Sequence, residues 1–255
     1  MTTGPIPSIS GLVAAWVAED LSLSDGDPVG SWVDRVGGYI LSSSGSNRPT
    51  FNASPGPGGP RGRPAVSFLM ANDQFLAHGS ALTSATSGSV IVAGTITNGT
   101  AWSSSNPSSG YRAVFGLQAS GDMRVQQQNT PPGGQASYVY STYDGSARAL
   151  EWASNGSVWN QRQDNIPLTV HVPPPSTFVT GSNTGQWFGS VASRDNFTLG
   201  CVHTPTSINP SGRDSSLTGH ISVVLVIDGA LSPVDRSALY AWILGPGMAG
   251  QAIII

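Results

Sequence analysis

The chain has 255 residues, of which Gly, Pro, Ser, Thr and Asn supply 118, while Glu occurs twice and Lys not at all. So few helix formers exclude a helical bundle or coiled coil, and an apolar fraction of 38% with seven Trp and seven Phe excludes wholesale disorder. The net charge of −3, with eleven Arg scattered from Arg35 to Arg236 rather than striped, excludes a phosphate-tracking groove and with it nucleic-acid binding.

Extended runs separated by turn clusters predict an all-β fold. In chain order they are Leu12 to Val17, Ala65 to Phe68, Val90 to Thr97, Ala113 to Leu117, Met123 to Gln126, Tyr138 to Tyr140, Ala147 to Trp152, Leu168 to Val172, Phe197 to Val202 and Ile221 to Ile227. Ten strands require two sheets or a barrel. Two runs, 90–93 and 223–227, are apolar at every position instead of alternating, which predicts central strands covered on both faces. One helix is expected. Ser232 supplies an N-cap hydroxyl, Pro233 the first helical position and Asp235 a carboxylate at the positive end of the dipole. Leu239, Trp242 and Ile243 follow at helical spacing, and Gly245-Pro246 stops the run.

The Gly- and Pro-rich stretch 53–64 reads as a stiff loop, since its three collagen-like triplets are too few for a triple helix. No repeat or long linker divides the chain. The expected organisation is an N-terminal arm (1–10), one domain (11–247) and an apolar tail (248–255) whose Ile253, Ile254 and Ile255 are candidates for docking on a partner. No run of about eighteen apolar residues occurs, so no membrane insertion is expected, and the opening MTTGPIPSIS lacks the pattern of a secretion signal.

Chemistry is sparse. Glycoside hydrolysis needs two carboxylates about 5–10 Å apart, yet Glu19 and Glu151 are distant in sequence and Glu151 has no acid two or four residues away. No Gly-x-Ser-x-Gly elbow is present. Cys201 is alone in an apolar strand and reads as an inert thiol; His78, His171, His203 and His220 are dispersed. The chain reads as a non-enzyme without a cofactor. Two metal readings are left open: a site assembled in space from the dispersed histidines, and a calcium turn at Asp25 and Asp27, whose carboxylates are suitable hard ligands.

Binding finds more support. Trp102, Tyr111, Tyr143, Trp159 and Trp187 lie in or beside loops rich in Ser, Asn, Gly and Gln, where flat rings stack on sugar faces and amides bond hydroxyls. The competing reading is that these rings cover the edge of the core.

Specific residues then point to a family. Gly11 to Trp16, Asp20, Asp25 to Val29 and Trp32 to Gly38, followed by Asn47 to Phe51, Gly62 to Phe68 and Asn72 to Leu76, resemble the opening of bacterial and bacteriophage concanavalin A-like, laminin-G-type jelly-roll domains. Phe197 to Gly200 and Gly219 through Ser232 are similar to the last strands and short helix of that family. The resemblance implies an all-β concanavalin A-like jelly-roll sandwich of two antiparallel sheets with one short C-terminal helix. Within it, Trp16 and Trp32 read as core aromatics, and Asp34 and Asp73 as turn caps. It further implies a non-catalytic phage virion accessory protein, a minor tail or fibre component or a capsid decoration. Such a protein is made in the host cytoplasm, released by lysis, and binds other virion proteins as a homo-oligomer. The alternative is a carbohydrate-binding module or adhesin that recognises a cell-surface glycan through the loop aromatics.

Overall fold

The computed structural model describes residues 4–53, 63–106, 111–117, 122–130, 134–142, 148–172, 187, 194–202 and 216–245. Along them run β1 (Leu12–Val17), β2 (Ser31–Val33), β3 (Ile40–Ser42), β4 (Thr50–Asn52), β5 (Ala65–Phe68), β6 (Leu76–His78), β7 (Gly88–Asn106), β8 (Tyr111–Leu117), β9 (Asp122–Thr130), β10 (Gly134–Thr142), β11 (Arg148–Ser154), β12 (Trp159–Gln163), β13 (Ile166–Pro167), β14 (Phe197–Leu199), β15 (Thr218–Asp228) and the helix α1 (Pro233–Leu244).

Every pairing is antiparallel. In the first sheet β15 lies at the centre, with β7 on one flank and β1 followed by β5 on the other; β11, β12 and β13 continue beyond β7, and β4 beyond β5. The second sheet runs β10-β9-β8-β7-β14-β6-β3-β2. Strand β7 belongs to both. Its residues up to Asn98 pair with β15, and from Gly99 onward it pairs with β8. Gly99 has φ +97°, and a Cβ there would stand 1.8 Å from the Ser216 carbonyl oxygen, so only glycine lets the strand pass from one layer to the next. The result is a concanavalin A-like jelly-roll sandwich, curled around a shared strand, with one C-terminal helix.

Two apolar layers hold it together. Between the sheets lie Trp16, Trp32, Phe51, Val66, Phe68, Val90, Val92, Trp102, Trp152, Phe197, Val224 and Val226. On the outer face of the first sheet Val17, Ile91, Ala93, Val223, Leu225 and Ile227 meet Leu239, Tyr240, Ile243 and Leu244 of α1. This second layer explains the uninterrupted runs 90–93 and 223–227: both strands are buried on both faces. The helix begins where the sequence predicts, with Ser232 Oγ accepting the Asp235 N–H at 3.0 Å, and Gly245 closes it.

Beneath α1 the strand side chain of Glu151 is fully buried. It accepts hydrogen bonds from Ser89 Oγ (3.1 Å), Arg236 Nε (3.2 Å) and Tyr240 Oη (3.3 Å). Burial, and then this neighbouring carboxylate, push the Tyr240 hydroxyl well above its ordinary pKa. Glu151 is therefore the helix's ionic anchor.

The segment 168–172 departs from the expected strand. Leu168 donates to Gln161 of β12, whereas His171 exchanges both backbone hydrogen bonds with Tyr140 of β10, so the segment crosses between sheets instead of running along either. Short strands β2, β3 and β4 escape the sequence reading because three residues carry too little periodicity. Strand β12 was likewise not anticipated, its Asn, Gln and Arg disguising an alternating strand with Trp159, Gln161 and Gln163 turned inward.

The opening motif works as a clasp. Trp16 Nε1 donates to the Trp32 carbonyl and Trp32 Nε1 to that of Val17, each at 3.1 Å. The Asp34 carboxylate accepts from the backbone N–H of Val36 (2.7 Å), Gly37 (2.8 Å), Tyr39 and, across to β1, Ala15 (3.4 Å). Asp20 holds Arg35 through two 2.6 Å bonds. Asp73 behaves differently from expectation: it takes a left-handed φ of +51° at the end of a short turn, and Gln74 does the capping, accepting from Leu69 N at 2.8 Å.

Two stability predictions follow from these buried carboxylates. Asp34→Ala strands several backbone donors, and a loss of about 3 kcal/mol is expected in urea unfolding. Glu151→Ala leaves Arg236 and Tyr240 facing an empty buried site, and the expected cost is about 3–5 kcal/mol, read by the same titration.

Candidate functional site

The helix covers only part of the first sheet's outer face. On the remainder, where the row residues are partly exposed, the side chains are decided by an irregularity in β15. Between Ile221 and Val223 the register with β7 shifts by one residue at Ser222. Since side chains alternate along a strand, the extra residue reverses their sense. Val223, Leu225 and Ile227 face α1, Ile221 turns into the core between the sheets, and His220 comes to the outer face.

There His220 completes a row. It stands opposite Ser67 of β5 on one side and Thr95 of β7 on the other, and Ser67 stands opposite Thr50 of β4. Four adjacent strands thus present Thr50, Ser67, His220 and Thr95 side by side. Ser67 Oγ lies 2.7 Å from His220 Nδ1. Around the row is an open cleft of about 510 Å³, lined also by Phe68, Leu69, Asn72, Gln74, Thr97, Thr218 and Gly219. That volume is in the range of small-ligand sites.

The polar lining is held in place from behind. Thr218 Oγ1 accepts from Met70 N at 3.3 Å, Thr97 Oγ1 donates to the Thr218 carbonyl at 2.8 Å, and Gln74 Nε2 donates to the Arg48 carbonyl at 2.9 Å. The Thr50 hydroxyl and the Asn72 amide have no protein partner among the described residues, and Asn72 is exposed. Gly219 lets β15 approach β7 here, since a Cβ at that position would lie 2.4 Å from the Thr95 carbonyl oxygen. Burial lowers the His220 pKa. The described lining contains no Asp, Glu, Arg or Lys.

The aromatic candidates lie elsewhere. Trp102, Trp159 and Trp187 are at most 1% exposed, so their rings are not available to stack on a sugar. They belong to a continuous aromatic series inside the sandwich. Trp16 stacks on Phe197 (centroids 5.6 Å apart), Phe197 on Trp102 (5.7 Å), Trp102 meets Trp187 edge-on (6.2 Å) and Trp187 meets Trp159 (5.7 Å). The reason is alternation: polar neighbours such as Ser103 and Asn160 take the opposite side of the strand, and large rings gain more by burial than by exposure. Tyr111 opens β8 opposite Asn106, its side chain outside the description; Tyr143, Ile253, Ile254 and Ile255 lie outside the described residues.

Asp25 and Asp27 serve the turn that contains them. Asp25 Oδ1 accepts from Ala53 N at 2.9 Å and Asp27 Oδ2 from Ser24 N at 2.8 Å. Among the described residues no three His, Cys, Asp or Glu side chains gather as a metal site. Cys201 is buried, and desolvation followed by the nearby Asp73 raises its pKa, which disfavours a thiolate.

No family model and no curated protein matches the chain. Solved structures do. A Trypanosoma rangeli sialidase in complex with 2,3-difluorosialic acid is similar over 96% of this chain and 35% of its own, with TM-score 0.53 and 11% identity. A leech intramolecular trans-sialidase complexed with 2,7-anhydro-Neu5Ac is similar over 93% of this chain and 28% of its own, with TM-score 0.51 and 12% identity. A Ruminococcus gnavus IT-sialidase CBM40 bound to α2,6 sialyllactose aligns over 86% of this chain and 97% of its own, with TM-score 0.48 and 10% identity. The likeness to the first two is one of fold, and this chain spans about a third of their length. The virion expectation finds no counterpart among these neighbours.

The half-buried His220 gives a pH prediction. A folded-state pKa below the ordinary 6.5 means that the unfolded chain takes up the proton first on acidification. Its contribution to stability is full above about pH 6.5 and is lost as pH falls through the folded-state value. Paired urea titrations at neutral and mildly acidic pH are expected to show a larger acid loss for the native chain than for His220→Asn. Equal losses would mean that His220 is as well hydrated folded as unfolded.

Proposed function

We propose that this chain is a non-catalytic glycan-binding module whose binding surface is the uncovered half of the first sheet's outer face. The observation that carries the reading is the cross-strand row Thr50, Ser67, His220 and Thr95 in an open cleft with the exposed Leu69 at its rim. Sugar hydroxyls both donate and accept, and so do Ser and Thr hydroxyls, the Asn72 amide and a neutral imidazole. The C–H face of a sugar ring finds apolar contact on Leu69. The strands supply the row already aligned, so little ordering is needed on binding. A fold shared with a sialidase and a trans-sialidase solved with sugar derivatives is in keeping with this reading.

The absence of any carboxylate from the described lining favours binding over hydrolysis, since a glycosidase needs an acid on either side of the scissile bond. This replaces the loop-aromatic site expected from sequence, while retaining the ligand class.

The test is a glycan array probed with the native chain and with a Thr50→Val/Ser67→Ala variant. Specific binding by the native chain, weakened roughly ten-fold in a variant of unchanged melting temperature, is expected from two lost hydrogen bonds. A well-folded native chain that binds no glycan refutes the reading, and release of free sugar on incubation refutes its non-catalytic part.

A further inference from the structure

We infer that the cleft selects neutral saccharides and discriminates against acidic ones, a conclusion that rests on the cleft being the glycan site. A carboxylate or sulfate entering a partly desolvated cleft loses water and needs a cation or several charge-assisted donors in return. Among the described lining residues there is no Arg or Lys to supply them.

The geometry next to the cleft points the same way. The polar side chains that line it include Thr50, Ser67, Asn72, Thr95, Thr97 and His220, all uncharged groups when the imidazole is neutral. His220 Nδ1 is occupied by Ser67 Oγ at 2.7 Å, a contact made equally well by a neutral ring. Between the lining residues Asn72 and Gln74 stands Asp73, whose carboxylate accepts from Ser216 Oγ at 3.4 Å. Burial also lowers the His220 pKa, which favours the neutral imidazole.

The experiment compares matched glycans that differ only in a terminal acidic sugar, for example sialylated and desialylated forms of one oligosaccharide, by calorimetry with the full chain near neutral pH. Binding of the neutral form at least ten-fold tighter than the acidic form is expected. Equal or tighter binding of the acidic form overturns the inference and leaves glycan binding standing. Binding of neither form by array-selected oligosaccharides overturns the glycan reading itself, and this inference with it. A Leu69→Arg variant adds a cation to the exposed rim of the cleft. It is expected to gain affinity for the acidic form while retaining the neutral one; no gain shows that the missing cation does not set the preference, and overturns the inference.

Discussion

The pairing of β7 with β15 is the constraint from which the rest of the structure develops. Both strands are buried on both faces where they carry the runs 90–93 and 223–227, so neither can slip by one residue without exchanging an entire apolar set between two different layers. That rigidity permits a local exception. At Ser222 one residue is inserted, and the strand beyond it presents the opposite parity. Ile221 is thereby kept in the core and His220 is delivered to the surface, opposite Ser67 and Thr95. Without the bulge the same sequence would bury the imidazole and expose the isoleucine.

A helix of twelve residues, about 18 Å long, then divides the outer face. Where α1 lies, the strands show unbroken apolar sequence and a buried carboxylate, Glu151, that fixes the helix through Arg236 and Tyr240. Beyond it no helix among the described residues covers the face, and polar side chains take over. Stability and the proposed recognition surface are thus separated on one sheet. The anchored half tolerates little change, since breaking a buried ionic contact is costly, while the open half is a row of short side chains whose backbone is already fixed by its neighbours. Such a row can be altered without dismantling the sandwich.

Much of this was legible in the sequence. The two unbroken runs announced doubly covered strands, Ser232-Pro233-Val234-Asp235 announced the helix, and the Trp16, Trp32 and Asp34 pattern announced the fold. The cleft left a quieter trace. In β7 the apolar run 90–93 gives way to Gly94-Thr95-Ile96-Thr97, and in β15 Thr218-Gly219-His220-Ile221 precedes 223–227. In both strands continuous hydrophobicity changes to alternation at the line where the helical cover ends. That change marks an exposed face, but which residues of four strands share it depends on register and on the bulge, neither of which a one-dimensional pattern encodes. Trp102, Trp159 and Trp187 misled for a related reason: their polar neighbours look like loop sequence, although alternation places those neighbours on the opposite side of the strand.

Fold and ligand are consequently determined by different residues. The aromatic series from Trp16 through Phe197 and Trp102 to Trp187 and Trp159 fills the space between two sheets, and its requirement is volume and flatness in a dry interior. Many sequences meet that requirement, which is why a fold match can persist at 11% identity. The cleft is subject to a different condition. Its residues are partly solvated and contribute little to the core, so they are free to vary in charge while the sandwich stays the same. A fold match at that identity constrains the inner rings and leaves the outer row open, and the chemistry of this protein's ligand has to be read from Thr50, Ser67, His220 and Thr95 themselves.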